Sequence, residues 1–191
     1  MDADKQKIIE FLREIDKFKF MEREIYNSDG QKETNTDHTW HLAMFMLLFE
    51  NEVKDRIDIL KAFKMILIHD LIELYAGDTF AFDTSELKET KETRELEAAK
   101  KLFGQLPEKL GKELFELWKE YDFAKTKTAK FIKSLDLMQA FNQNVMTKAR
   151  IYKEKNITFD TVKNYKKKYT QSDELLQELS NKLLDELKEN F

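Results

Sequence analysis

Residues 62–83 read AFKMILIHDLIELYAGDTFAFD, and the fold can be worked outward from this stretch. An apolar run, Met65 to Ile68, leads into the adjacent pair His69-Asp70. Glu73 follows one turn later, and Gly77-Asp78 breaks the helix. Glu73 lies four residues after His69 and three after Asp70, so a helix puts these side chains on overlapping faces. Ionisable groups beside buried apolar surface cost free energy unless they are paired, hydrogen-bonded or metal-bound. Taken alone, the pair is also what a helix shows when its polar residues face solvent and Met65, Ile66, Leu67 and Ile68 face the core. The rest of the chain has to decide between the two.

The composition excludes several classes. A chain of 191 residues fits one domain, 1–191, with a sizeable core. Hydrophobic residues at 41% argue against disorder, and 37% charged residues imply a densely solvated surface. The 33 basic and 37 acidic residues are interleaved and leave a net charge of −4, which offers no nucleic-acid or anionic-membrane surface. There is no cysteine, as suits a reducing compartment. The start, MDADKQKIIEF, lacks the basic and apolar regions of a signal peptide, and the longest apolar run, Leu42 to Phe49, is too short for a bilayer. The expectation is a soluble cytoplasmic domain.

One proline and four glycines leave little punctuation for strands, so nearly all of the chain reads as helix. The expected fold is all-α, a compact bundle of about 7–8 helices. The first covers about 4–21 with a stripe of Ile8, Ile9, Leu12, Ile15 and Phe18. A polar loop, 26–36, follows around Ser28-Asp29-Gly30. A second helix runs from near Asp37 to about 51 and a third from about 57 to 76. Lysine and glutamate alternate through 86–101, the solvated face of a fourth. Pro107 opens a fifth, 107–122, striped by Leu110, Leu114, Leu117 and Trp118. A sixth takes about 126–152 and a seventh 158–168. The eighth follows Ser172-Asp173-Glu174, and its repeat of Leu176, Leu179, Leu183 and Leu187 could form a short coiled-coil seam.

The only histidines are His38, His41 and His69. His38 and His41 stand one turn apart on the second helix, in TDHTWHLAMFMLLF. The sixth carries Asp136 among Ile132, Leu135, Leu137 and Met138, where an unpaired carboxylate would be costly. Each residue alone has a structural reading, a core histidine bonded to backbone or an aspartate paired with lysine. Their joint occurrence weakens those readings.

The order His38, His69-Asp70, Asp136, each on a different predicted helix, resembles the HD-domain metal-dependent phosphohydrolases. The resemblance is greatest to the small stand-alone branch that includes the 5'-deoxynucleotidases. It rests on TDHTWHLA, LIHDLIELYAGDTFAFD, LFELWKEYD and AKFIKSLD, and covers about residues 8–150. The C-terminal helices, about 158–190, lie outside it. The family's motif H-D-x-x-E-x-x-x-x-D is met by His69, Asp70, Glu73 and Asp78.

The resemblance implies that His38, His69, Asp70 and Asp136 hold one divalent ion, and that Glu73 and Asp78 handle the nucleophilic water. Two imidazoles and two carboxylates suit manganese, cobalt, iron, zinc or, less well, magnesium. The branch also has a phosphate-holding arginine upstream of its first histidine, and Arg23 has the spacing and the planar fork for that task. Where those relatives carry a tryptophan near this arginine, the chain has Glu24 and then Tyr26, which leaves sugar and base selection open. His41 fits packing or a supporting hydrogen bond better than ligation. Lys17, Phe80 and Phe82 could line a pocket or simply pack.

The expected function is therefore release of phosphate from a nucleoside 5'-monophosphate. Phosphodiester or pyrophosphate hydrolysis of a cyclic nucleotide or guanosine alarmone is the chemical alternative, and three histidines make its two-ion site hard to build. A non-catalytic metal- or nucleotide-binding module is the other class, disfavoured by retention of Glu73 and Asp78. The resemblance also implies a homodimer, to which the leucine-rich last helix could contribute.

Overall fold

The computed structural model describes residues 2–82, 90–171 and 173–191. The expected start of the fourth helix, 86–89, and Ser172 ahead of the last one lie outside the described residues. The architecture is helical, with one two-stranded ribbon among the described residues. No helix described is long and apolar enough to cross a membrane.

Helix α1 spans Ala3–Glu14 and tightens into a 3₁₀ segment, Ile15–Phe20. The buried residues here are Phe11 and Phe18, whereas Leu12 of the expected stripe is exposed. The expected polar loop is replaced by a hairpin. Strand β1, Glu22–Tyr26, pairs antiparallel with β2, Lys32–Thr34, through Glu22–Thr34 and Tyr26–Lys32. Gly30 turns the chain at φ +89°, a conformation that other residues rarely adopt.

Thr34 ends β2 and caps α2, Asn35–Leu48, in a reciprocal capping box with Asp37. The helix thus begins two residues before the expected Asp37. This cap sets the helical register, which buries Asn35, His38, Leu42 and Met46 on one face. A short α3, Glu50–Val53, leads to α4, Ile59–Ile68, capped by Asp58 and buried at Ala62, Met65, Ile66 and Ile68. The expected single helix over 57–76 is two pieces, since α5 is only Glu73–Ala76.

Helix α6, Lys91–Phe103, and α7, Glu108–Asp122, pack beside α5 and α4. Pro107 sits one residue before α7 rather than within it. The longest helix, α8 (Lys127–Met146), is the axis of the molecule, packing against α2, α4, α7 and the two C-terminal helices. It ends short of the expected residue 152. Lys148 and Ala149 adopt left-handed backbone, and α9 restarts at Arg150–Glu154. Helices α10, Phe159–Thr170, and α11, Glu174–Lys188, close the fold against α8. Leu176, Leu183, Leu184 and Leu187 of α11 are buried in this chain's own core, so the leucine repeat is used internally rather than presented as a free seam.

Candidate active site

The break after α4 shapes the site. From His69 to Ile72 the α-helical ladder gives way to tighter bonds three residues back: Leu71 N–H to Ile68 O (3.3 Å), Glu73 N–H to Asp70 O (2.9 Å) and Leu74 N–H to Leu71 O (3.2 Å). Such overwinding recurs at functional positions. It leaves His69 and Glu73 buried while Asp70 stays part-exposed, at the mouth of a cleft.

His38 from α2, His69 from the α4 turn and Asp136 from α8 meet there. One ligand atom from each lies within 4.8 Å of the others. The two imidazole Nε2 atoms are 3.2 Å apart. Asp136 Oδ1 is 3.1 Å from His38 Nε2, and Tyr121 O–H donates to its Oδ2 at 2.9 Å. Asp70 Oδ2 is 3.1 Å from His69 Nε2 and 3.7 Å from His38 Nε2.

The far nitrogens decide which way the rings face. His69 Nδ1–H donates to the Ile66 carbonyl at 2.8 Å, and His38 Nδ1–H to Gln139 Oε1 at 2.6 Å. Both Nε2 lone pairs are therefore turned toward the two carboxylates and each other, an arrangement that calls for a cation or a proton between them. Burial alone would depress the His69 pKa, but the charge and hydrogen bond of Asp70, with Asp136 adding, raise it to about 9. Burial would likewise raise both carboxyls. Instead His69 and Arg23 beside Asp70, and His38 beside Asp136, hold them well below the carboxylate range. Donor chemistry and field together fit a divalent ion of the mixed nitrogen and oxygen class.

A chain of buried polar groups stands behind the cluster. Gln139 accepts from His38 and donates to Glu33 Oε1 at 2.8 Å, and its Nε2 stands 3.2 Å from His41 Nδ1. His41 thus supports Gln139 rather than joining the cluster. Glu33 Oε2 lies 3.3 Å from Arg23 Nε, and Arg23 Nη1 donates to Asp70 Oδ2 at 2.8 Å. Asn35 Nδ2 donates to Glu73 Oε2 at 2.7 Å. Burial, reinforced by Asp70 and Asp78, pushes the Glu73 pKa well above the carboxylate range; Asp78 is raised by burial too, with Arg23 opposing. Arg94 of α6 clamps the turn carrying Asp78, through the Ala76 carbonyl and Thr79 Oγ1.

Arg23, His69, Asp70, Glu73, Asp78, Tyr121 and Asp136 line a cleft of about 910 Å³ that also takes in Lys91, Phe80 and Phe82. Lys17 bonds Glu14 on the surface and is absent from the cleft, so of its two readings the pocket one falls away. Tyr26 is held outside the cleft by Glu154 and lies under the Arg150 guanidinium. Glu24 does reach the cleft, while ion-paired to Lys155 at 3.1 Å. Sequence reasoning missed Glu33, Asn35, Tyr121 and Gln139. Only Gln139 left a trace, as a polar residue one turn after Asp136 in an apolar run.

The HD domain family model matches residues 15–180. The chain belongs to the HD domain family. The match extends past residue 150, into helices where the sequence alone showed no resemblance. The human 5'-deoxynucleotidase HDDC2 is 34% identical over 131 residues, 68% of this chain and 62% of that one. The bovine 5'-deoxynucleotidase HDDC2 is 36% identical over 133 residues, 68% of this chain and 62% of that protein. The chain thus spans less than two thirds of the length of these curated relatives. A solved structure from Magnetospirillum magnetotacticum, titled a predicted metal-dependent phosphohydrolase, superposes with a TM-score of 0.87 at 30% identity. That alignment covers 98% of this chain and 94% of the other.

Proposed function

We propose that this protein is a metal-dependent phosphohydrolase that releases phosphate from nucleoside 5'-monophosphates. The observation that carries the reading is the convergence of His38, His69 and Asp136, with Asp70 beside them, at the mouth of a cleft that also holds Arg23, Glu73 and Asp78. The names of the HD-domain relatives, 5'-deoxynucleotidase and metal-dependent phosphohydrolase, support it.

On this reading His38, His69, Asp70 and Asp136 hold one divalent ion, drawn from manganese, cobalt, iron, zinc or magnesium. Bound there, such an ion supplies Lewis acidity toward a phosphoryl oxygen and toward water. Arg23 holds the phosphate. Its Nη1 donates to Asp70 and its Nε lies within ion-pair reach of Glu33, which places the guanidinium beside the cleft. Lys91, paired with Glu95 at 3.5 Å, adds a second positive charge to the same wall. Glu73 orients the attacking water and takes its proton, its carboxylate steadied by Asn35. Asp78, on the turn clamped by Arg94, stands beside Glu73 to handle the same water and its protons. Residues 1–191 act as one such unit, in the cytoplasm.

A single histidine-bearing cluster among the described residues favours the monoester over a diester chemistry that uses two ions. We also propose a homodimer. Helices α2 and α4 pack on each other, and each leaves an apolar stripe exposed, Trp40, Leu47 and Leu48 on one and Leu60 and Leu67 on the other. Sedimentation of Leu67→Glu would show a monomer if that face pairs, and an unchanged species if it does not.

The decisive experiment is a phosphate-release screen of ribo- and deoxyribonucleoside 5'-monophosphates against a panel of divalent ions. Metal-dependent release is expected. A protein that binds ion and nucleotide yet releases nothing is the non-catalytic module instead.

A further inference from the structure

Beyond Asp136 the cleft continues along α8. Ala140 and Asn144 line it at intervals of one helical turn. Asp136 and Ala140 are separated by about 6 Å along the axis at 1.5 Å per residue. That is about the span of a pentose between its 5'-phosphate and its base. Ala140 has almost no side chain, so it leaves a slot.

The same cleft also carries aromatic rings. Tyr165 and Tyr169, one turn apart on α10, have ring centroids 5.2 Å apart. Phe82 lies 4.9 Å from the Tyr165 ring. All three rings are only part-buried and line the same cleft. At the far end stands Asn144. Its Nδ2 donates to the Ala140 carbonyl at 2.7 Å, which leaves Oδ1 as the acceptor. That oxygen is buried and has no hydrogen-bond partner among the described residues. A buried acceptor without a donor is costly, and natural structures rarely tolerate one unless a ligand or water supplies the donor.

We propose that this slot takes the base of the substrate: a planar heteroaromatic ring stacked on Tyr165, Tyr169 and Phe82, lying over Ala140 and donating an N–H to Asn144 Oδ1. The proposal rests on the nucleotide reading above and adds where selection occurs, on helices remote in sequence from the His-Asp motif. Stacking suits any base, because every base has a π face, whereas the Asn144 acceptor distinguishes bases that carry a donor at that edge.

The test compares AMP, purine riboside 5'-monophosphate, which lacks only the exocyclic amine, and ribose 5-phosphate, which lacks the base, all three in the ribo or the 2'-deoxy form, whichever the wild type turns over faster. The wild-type, Ala140→Leu and Tyr165→Ala proteins are used with metal added. In the wild type kcat/KM should fall at least tenfold from AMP to each of the other two. In Ala140→Leu, and separately in Tyr165→Ala, the preference for AMP over ribose 5-phosphate should shrink at least tenfold. Turnover of ribose 5-phosphate should stay within twofold, which shows that the catalytic end is folded. Inhibition by the product adenosine should weaken in both variants, a readout independent of the chemical step. Unchanged preference and unchanged adenosine inhibition in Ala140→Leu would overturn the base site while leaving the phosphohydrolase standing. Equal rates with AMP and purine riboside 5'-monophosphate would remove Asn144 from it. No release from any nucleotide by the wild type would sink the nucleotide reading, and the base site with it.

Discussion

The two walls of the cleft are built differently. The side at His38, His69, Asp70 and Asp136 consists of ionisable groups, and each is backed by a second polar group: Gln139, the Ile66 carbonyl, Arg23 and Tyr121 in turn. The wall at Phe82, Tyr165 and Tyr169 consists of rings held mainly by one another. Removing a member of the first leaves a buried charge or lone pair uncompensated, whereas removing a ring from the second loses contact area and little else. The difference teaches where the protein tolerates change, and it is also a difference that can be broken.

The largest effect is expected from Asp70→Asn. Asp70 touches His69, His38 and Arg23, so the substitution takes a charge from the proposed ligand set and from the arginine together. Metal-dependent turnover should be abolished and bound metal lost, as read by phosphate release and elemental analysis. Full activity with unchanged metal content would refute the assignment.

Glu73→Ala separates water handling from ligation within the same wall. Glu73 bonds Asn35 and is not among the four proposed ligands, so metal should be retained. Turnover should fall by about 10²–10⁴, the usual share of acid–base catalysis. Loss of the ion would make Glu73 a ligand. Retention of both ion and rate would move the proton to Asp78.

Gln139→Leu tests the support behind the charged wall. The amide fixes which nitrogen of His38 faces the cluster. Losing such a partner weakens metal binding by about 10–100-fold. Equilibrium dialysis should show that loss, and an unchanged affinity would mean that packing alone orients the ring.

The legible and illegible parts of the sequence divide along similar lines. His69, Asp70 and Asp136 stood out because they interrupt apolar runs, where an ionisable group demands an explanation. The start of the last helix was readable from Asp173, which accepts the Leu176 N–H there. The ribbon was not readable. Its strands have five and three residues, rich in charge, and pair over a short polar turn. Nor was the break after α4, because no glycine or proline marks it and the change is only from four-residue to three-residue hydrogen bonds. Glu33 and Asn35 could not be singled out among so many acidic and amide residues. Their burial is set by tertiary packing of the ribbon and α2 over α8.

Lys166 is the polar exception behind the aromatic wall. It is 2% exposed and donates to the Leu137 carbonyl at 2.8 Å. Burial lowers its pKa to about 7, although the charge of Asp136 resists the change. Between pH 7 and the ordinary lysine range the unfolded chain therefore binds a proton that the folded chain does not. Stability should rise with pH across that window. Lys166→Met should flatten the rise and raise the unfolding midpoint at pH 7, the lost hydrogen bond returning only about 1 kcal/mol. A rise of equal slope in the variant would place the titration elsewhere.

The smallest effect concerns how the aromatic wall is brought to the cleft at all. After α8 the chain reverses through Lys148 and Ala149, at φ +54° and +59°, and α9 then seats Tyr152 beneath Phe82. Left-handed backbone costs a residue with a Cβ about 1–2 kcal/mol, part of which glycine returns through its own larger entropy loss. The two positions should nevertheless respond differently. Lys148 is exposed, so Lys148→Gly should stabilise by about 0.5–1 kcal/mol. Ala149 is fully buried, and Ala149→Gly also gives up a methyl worth about 0.8 kcal/mol, which offsets the relief of strain. Denaturant midpoints of the two variants should therefore part, with Lys148→Gly above the wild type and Ala149→Gly near it. If both rise together, the Ala149 methyl contributes nothing to packing, and the turn is set by backbone geometry alone.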